Sequence, residues 1–191
     1  MGIPEANPKE NKDCAKRVLL NVLETIVKGE ELIVVADYDP PVYYKLHPMS
    51  FKPVKHSVFG TKLDLCIGRK ITDDEVMPDV CIDIYQNTTS SNLSNASSRM
   101  NSLKSIWPHV QYGLLDFSAS KLNKELLNHN QRNYITSIDF IYALGDIIEH
   151  PDKLEHHLQD FIIEQVSNAG KYARVLYENE GLLFVKSISF S

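Results

Sequence analysis

The chain of 191 residues is long enough to bury a sizeable hydrophobic core and suits a single domain. Its hydrophobic content of 43% and charged content of 24% are ordinary for a globular protein. The net charge of -5 argues against a generally basic surface that coats nucleic acid, although not against a local basic cleft. Three cysteines without CxxC spacing suggest neither a disulfide framework nor a zinc site. A polar N-terminus and the lack of about 18 consecutive apolar residues favour a cytoplasmic protein without membrane contact.

The N-terminal part predicts an arm, a helix and a strand. Residues 1–12 are rich in Pro, Glu, Asn and Lys, which predicts a flexible arm. Apolar residues then recur at helical spacing from Ala15 to Val27, and Gly29 follows as a typical helix stop. Residues 31–36 predict the first strand.

Two apolar strands, each with an acid in it, are the most informative feature of the chain. A proline-rich stretch over 40–58, expected to be irregular, leads to strands at 61–67 and 79–86. Side chains alternate between the two faces of a strand, so each of these strands has one wholly apolar face and one face with acids. If the strands pair as a hairpin, Asp64 and Asp83 meet near one end.

Distance along the strand separates a third acid, Asp79, from this pair. Asp79 shares the face of Asp83, but four residues of strand separate the two by about 13 Å. Nearby, Cys66 and Cys81 lie on the same faces as the acids and are expected to be buried thiols.

The remaining elements complete a mixed sheet flanked by helices. They are a helix that opens in the Ser/Asn tract 87–92 and stops at Pro108, a strand at 110–117, helices at 134–148 and 152–167, and a hairpin of strands at 171–177 and 182–190. The fold class expected is α/β (α+β), with a mixed central β-sheet, extra C-terminal helices and a hairpin. Residues 13–191 are expected to form one domain.

Two carboxylates that converge at the end of a sheet suit a hard cation such as Mg²⁺ or Mn²⁺. Such an ion polarises a phosphodiester and lowers the pKa of a bound water. The alternative is that Asp64 and Asp83 are exposed on a half-solvated sheet or cap neighbouring backbone groups. His150, His156 and His157 offer a second metal cluster on paper, but their helical spacing indicates a solvated face.

The acid pair and its flanks resemble the restriction-endonuclease-like nuclease superfamily, whose signature is PD-(D/E)xK. The resemblance covers about residues 15–117. It rests on the leading helix, on Gly60-Thr61-Lys62-Leu63-Asp64, on Asp83-Ile84-Tyr85 and on the helix-to-strand run 99–108. It implies a mixed sheet flanked by helices and a metal-dependent endonuclease that hydrolyses DNA, either a restriction-type enzyme or a subunit of one.

The resemblance also implies the roles of particular residues. Asp64 and Asp83 are the implied metal ligands, and the backbone carbonyl of Ile84 completes the site. Glu24 on the first helix falls where some members carry an additional acid. Enzymes of this kind act on a duplex as dimers, and the C-terminal helices are the expected dimer contact.

One position departs from the signature. The superfamily has a lysine two residues after the second acid, and this chain has Tyr85 there, which brings no positive charge. Gln86 or a cation of the following helix, Lys104 first and Arg99 second, is the expected substitute. Two alternatives therefore stay open: a catalytically silent nuclease-fold protein that binds a partner, and an RNA endonuclease of the same fold.

Overall fold

The computed structural model describes residues 8–46, 53–58, 62–70, 76–117 and 138–178, in which a mixed sheet lies between helices. The elements in chain order are α1 (Pro8–Ile26), β1 (Ile33–Tyr38), β2 (Pro41–Leu46), β3 (Pro53–Val58), β4 (Leu63–Lys70), β5 (Val76–Tyr85), α2 (Ser90–Ile106), β6 (Gln111–Asp116), β7 (Phe140–Ala143), a 3-10 turn (Gly145–Glu149) and α3 (Pro151–Glu178). Among these residues, no helix is long and apolar enough to cross a bilayer.

The central sheet has five strands in the order β1-β4-β5-β6-β7, and a separate pair is formed by β2 and β3. Strands β1, β4 and β5 are antiparallel neighbours. Strands β5, β6 and β7 are parallel neighbours, and α2 is part of the connection from β5 to β6. The expected mixed sheet flanked by helices is thus confirmed.

The two faces of the sheet pack against different helices, as strand parity predicts. One face meets α1 and α3, and its buried residues on β4 and β5 are Leu65, Ile67, Val80, Ile82 and Ile84. The opposite face meets α2, and its buried residues include both strand thiols and two residues of β6, namely Cys66, Cys81, Tyr112 and Leu114. The prediction of two buried thiols is confirmed, since both cysteines are 0% exposed.

Helix α1 begins earlier than its apolar stripe predicts. It starts at Pro8, so residues 8–12 are helical and the predicted arm is wrong over that part; residues 1–7 lie outside the described residues. Proline is favoured in the first turn of a helix because its missing N–H has no intrahelical partner there. The predicted stop is confirmed, since Gly29 follows the helix with a φ of 99°.

The expected irregular stretch at 40–58 contains two paired strands, so that prediction is wrong. Strands β2 and β3 form an antiparallel pair with a register shift at Tyr43. The prolines do not prevent pairing, because Pro41 and Pro53 are the first residues of their strands, where a missing N–H is tolerated.

The predicted helix at 134–148 is also wrong in the part that the structure describes. Phe140–Ala143 is a strand parallel to β6, and a 3-10 turn follows it. Phe140 and Tyr142 contact the core on one face of the sheet, while Ile141 contacts the core on the opposite face. This alternation from one residue to the next is typical of a strand. Residues 134–137 lie outside the described residues.

The helix predicted at 152–167 is confirmed, but it continues through the predicted strand at 171–177 and ends at Glu178. Ala169 and Ala173, four residues apart, are both buried, as one face of a continuous helix requires. The C-terminal hairpin is therefore wrong in its first strand. Its second strand, 182–190, lies outside the described residues.

Candidate functional site

The two predicted acids lie at the edge of the sheet where β5 and β6 end and α2 begins. Strand pairing brings them there: Leu65 is opposite Ile82, so the preceding Asp64 approaches the following Asp83. The carboxylate oxygen Oδ2 of Asp64 accepts the backbone N–H of Ile84 at 2.8 Å. Asp64 is therefore held directly beside the residue that follows Asp83.

Two lysines of α1 surround Asp64. Nζ of Lys12 lies 2.7 Å from Oδ2, and Nζ of Lys16 lies 3.5 Å from Oδ1. Lys16 also contacts Asp37 at 2.7 Å. Burial alone would lower the pKa of Lys16, but Asp37 and Asp64 together raise it. These lysines are four residues apart and so share one face of the helix.

Asp83 is buried and has a different set of partners. Nη1 of Arg99, from α2, lies 2.9 Å from Oδ2, and the Tyr112 hydroxyl donates a hydrogen bond to the same oxygen. Oδ1 is buried without a hydrogen bond to any described residue. Burial raises the pKa of Asp83, although Arg99 and Tyr112 act in the opposite direction. The same surroundings raise the pKa of Tyr112, first through burial and then through Asp83.

Tyr85, at the position where the resemblance implies a lysine, has cations at its face and at its hydroxyl. Nζ of Lys12 lies 5.7 Å from the centre of the ring. Nη2 of Arg99 lies 3.5 Å from the hydroxyl oxygen. Burial, with a further contribution from Asp83, raises the pKa of Tyr85 to about 12, so the phenol stays protonated at neutral pH.

The expected substitute cation of α2 lies elsewhere. Nζ of Lys104 is 2.6 Å from Oδ1 of Asp139, whose Oδ2 accepts the Tyr112 backbone N–H at 2.7 Å. Lys104 is five residues beyond Arg99, or about 7.5 Å further along the helix axis. Of these two cations it is Arg99 that contacts an acid of the pair. Gln86 is half-buried, one residue past the end of β5.

The other titratable groups considered from sequence are separate from the acid pair. Asp79 contacts Arg69 at 3.4 Å and His109 at 3.8 Å, which agrees with its exclusion by distance along the strand. Glu24 is exposed. The three histidines expected on a solvated face are confirmed as exposed, namely His150, His156 and His157.

The chain matches no protein-family model and no curated protein. The chemistry of the site therefore follows from its own residues. Within the described ranges, no group of three or more His, Cys, Asp or Glu side chains is arranged to hold a metal ion. Any ion at this edge would thus rest on two carboxylates and on backbone or water oxygens.

The residues that the sequence did not reveal are the cations from α1. Lys12 and Lys16 approach Asp64 from a helix that is distant in sequence. Their spacing of four residues indicates that they share a helix face, but it does not indicate which acid that face meets.

Asp116, at the end of β6, is a further buried acid of this edge. It accepts the backbone N–H groups of Asn87 and Thr88 at 3.2 Å and 2.5 Å and so fixes the turn before α2.

Proposed function

We propose that this protein is a metal-dependent endonuclease of the restriction-endonuclease-like kind that hydrolyses phosphodiester bonds in DNA. The observation that carries the proposal is that the pairing of β4 with β5 brings the carboxylates of Asp64 and Asp83 from neighbouring strands to one place. The hydrogen bond from the Ile84 N–H to Asp64 holds the first acid beside the second, and it is also the backbone cap that the alternative interpretation of this acid expects.

The oxygen donors at this place fit a hard divalent cation. The N–H and C=O of one residue point to the same side of a strand, so the Ile84 carbonyl faces the strand that carries Asp64. The buried Oδ1 of Asp83 has no hydrogen-bond partner among the described residues and is free to bind. Asp64, Asp83 and the Ile84 carbonyl would hold Mg²⁺ or Mn²⁺, which prefer oxygen ligands and retain several waters. When bound, the ion would polarise the phosphodiester.

The placement within the fold also supports the proposal. Ligands of open α/β sheets bind beyond the carboxyl ends of the parallel strands, and the acid pair lies at that edge of β5 and β6. Helix α2 begins at the same edge, with Thr89 as its N-cap and without an acid in its first turn. Arg99, about 13.5 Å further along α2, is the residue of this helix that contacts the acid pair and adds a cation there.

The local charge favours an anionic substrate despite the acidic chain. The acids of this edge are Asp37, Asp64, Asp83 and Asp116, and its cations are Lys12, Lys16 and Arg99. Four acids and three cations leave a net charge of minus one, so a bound divalent ion would leave the cluster positive by one. A positive site attracts the phosphate backbone.

Incubation of the purified protein with Mg²⁺ or Mn²⁺ tests the proposal directly. The substrates are supercoiled plasmid, linear duplex DNA, single-stranded DNA and RNA. We expect cleavage of DNA and its loss in Asp64→Asn, while the matched control Asp152→Asn, at an exposed site on α3, cleaves like the wild type. Intact substrates in every wild-type reaction would refute the proposal, and cleavage of RNA alone would favour the RNA endonuclease.

One observation favours a second candidate, a catalytically silent protein of the same fold that binds a partner. Lys12 and Arg99 already compensate Asp64 and Asp83 by ion pairs, so the acids need no metal for charge balance. Calorimetry with Mn²⁺ separates the candidates. Binding that is lost in Asp64→Asn supports the nuclease, and the absence of binding by the wild type supports the silent protein.

DNA nucleases of this kind usually work as dimers, because each active site cuts one strand and a duplex has two. The apolar face of α3 is buried against the core, so its outer face is the surface left for such contact. On that face Ile163 is 39% exposed. Tyr172, nine residues further along α3, lies half a turn around the helix from Ile163. Light scattering of the wild type and of Ile163→Lys, with and without DNA, tests whether a dimer forms through α3.

A further inference from the structure

Tyr85 occupies the place at which the resemblance implies a lysine, and its ring lies under a lysine from another element. Nζ of Lys12 is 5.7 Å from the ring centre, within the roughly 6 Å over which a cation is attracted to an aromatic face. We infer that Lys12, on α1, supplies the catalytic ammonium group that β5 lacks. This inference rests on the proposed function, whose acid pair it completes.

Two contacts fix the Lys12 ammonium at the site. It lies 2.7 Å from Oδ2 of Asp64, the oxygen that also accepts the Ile84 N–H. Its second contact is the face of Tyr85, the residue after Ile84. The ammonium group therefore lies beside the segment from Asp83 to Tyr85. A lysine at position 85 would place its charge near the same segment.

Accessibility distinguishes Lys12 from the other cations of the cluster. The Lys12 side chain is 37% exposed, so a phosphate can reach its ammonium group. Lys16 is 13% exposed and is shared between Asp37 and Asp64. Arg99 is 25% exposed and is held by the buried Asp83. Of these three cations, Lys12 is the one that can exchange its partner for a substrate without leaving a buried charge unpaired.

The reaction assigned to the site is hydrolysis, and the role of Lys12 is electrostatic. The oxygen of a water molecule forms a bond to phosphorus, and the bond from phosphorus to the leaving sugar oxygen breaks with its electron pair on that oxygen. The attacking water gives one proton to solvent, and the leaving oxygen takes one proton from solvent. Lys12 keeps its own proton and stabilises the negative charge that develops on the attacking water and the phosphate.

The test compares four substitutions in the full-length protein with two readouts, DNA cleavage and Mn²⁺ binding by calorimetry. For Lys12→Met we expect cleavage to fall by about 100-fold or more, the usual effect of removing one charge-stabilising group. Its Mn²⁺ affinity should equal or exceed that of the wild type, because a competing cation has been removed from Asp64. Lys12→Arg should restore part of the cleavage, since it keeps the charge with a different geometry. Arg17→Met changes an exposed residue in the next turn of α1, and this variant should behave like the wild type.

The fourth substitution, Lys104→Met, examines the competing cation of α2. Cleavage lost in Lys104→Met but retained in Lys12→Met would overturn the inference and leave the nuclease proposal intact. Equal cleavage by Lys12→Met and the wild type would also overturn it. A wild type that neither binds Mn²⁺ nor cleaves DNA would instead refute the proposed function, and the inference with it.

Discussion

The guanidinium of Arg99 lies 2.9 Å from the buried carboxylate of Asp83 and joins the middle of α2 to the end of β5. Burial would lower the pKa of Arg99, but Asp83 together with Tyr112, Tyr85 and Asp64 raises that pKa. Each group of the pair therefore stabilises the charged form of the other. Any change to one of them leaves a poorly solvated charge in the core.

Arg99→Met should therefore destabilise the fold at neutral pH by about 3–5 kcal/mol, the usual effect of removing one partner of a buried ion pair. Without Arg99 the pKa of Asp83 should rise further. Because an acid with a raised pKa binds its proton more tightly in the folded state, the loss of stability should shrink as the pH falls. Urea unfolding at several pH values measures it. The exposed Arg17→Met should change little, and an equal effect of both substitutions would contradict the prediction.

The acid pair is predictable from the sequence because the alternation of side chains between the two faces of a strand is visible within a few residues. Alternation over two residues separates Asp64 and Cys66 from Leu65 and Ile67, and the core clusters follow that division. The hairpin then required only that β4 and β5 be neighbours, which they are.

The cations around the pair were not predictable in this way. Lys12 lies in the first turns of α1, before the apolar stripe begins at Ala15, so no periodicity marks those turns as a helix. The sequence predicts a helix where β7 lies, because a short apolar run fits the period of a helix as well as that of a strand. The identity of β7 is set by pairing with β6, a tertiary contact that no local pattern contains.

Asp79 and His109 should give opposite pH dependences of stability. Burial raises the pKa of Asp79 to about 6, although Arg69 acts in the opposite direction. The folded state thus binds the Asp79 proton more tightly, and stability falls as the pH rises from about 4 to 6. Burial lowers the pKa of His109 to about 4. The unfolded state binds that proton more tightly, so stability rises over the same interval and on to about 6.5.

Single substitutions should separate these opposed effects. Asp79→Asn should stabilise the protein at pH 7 by about 1–3 kcal/mol and leave a stability that rises more steeply with pH than that of the wild type. His109→Gln should leave a stability that falls as the pH rises from about 4 to 6. Urea unfolding between pH 4 and 7 checks both. Identical pH profiles for the two variants would show that neither group titrates as its burial requires.

The three thiols should react at very different rates. Cys14 is exposed, while Cys66 and Cys81 are buried opposite each other on β4 and β5. Burial raises the pKa of the Cys81 thiol well above its usual value and suppresses the reactive thiolate. Titration with a thiol reagent should therefore detect one thiol in the native protein and all three in denaturant. Fast reaction in native Cys14→Ser would contradict the packing of α2 on this face.

Gly170 offers a test of the continuous helix α3, which replaces the predicted strand. Of the residues that the structure describes, a Cβ at this position would meet an Arg69 side-chain nitrogen alone, at 3.5 Å, an ordinary contact. Alanine is favoured over glycine inside a helix, so Gly170→Ala should stabilise the protein by about 0.5–1 kcal/mol. Gly113→Ala is the contrasting substitution, because its Cβ would lie 2.0 Å from the Phe140 ring where β6 meets β7. It should destabilise by about 1–3 kcal/mol. Thermal unfolding measures both, and a destabilising Gly170→Ala would show that the helix does not run through this residue.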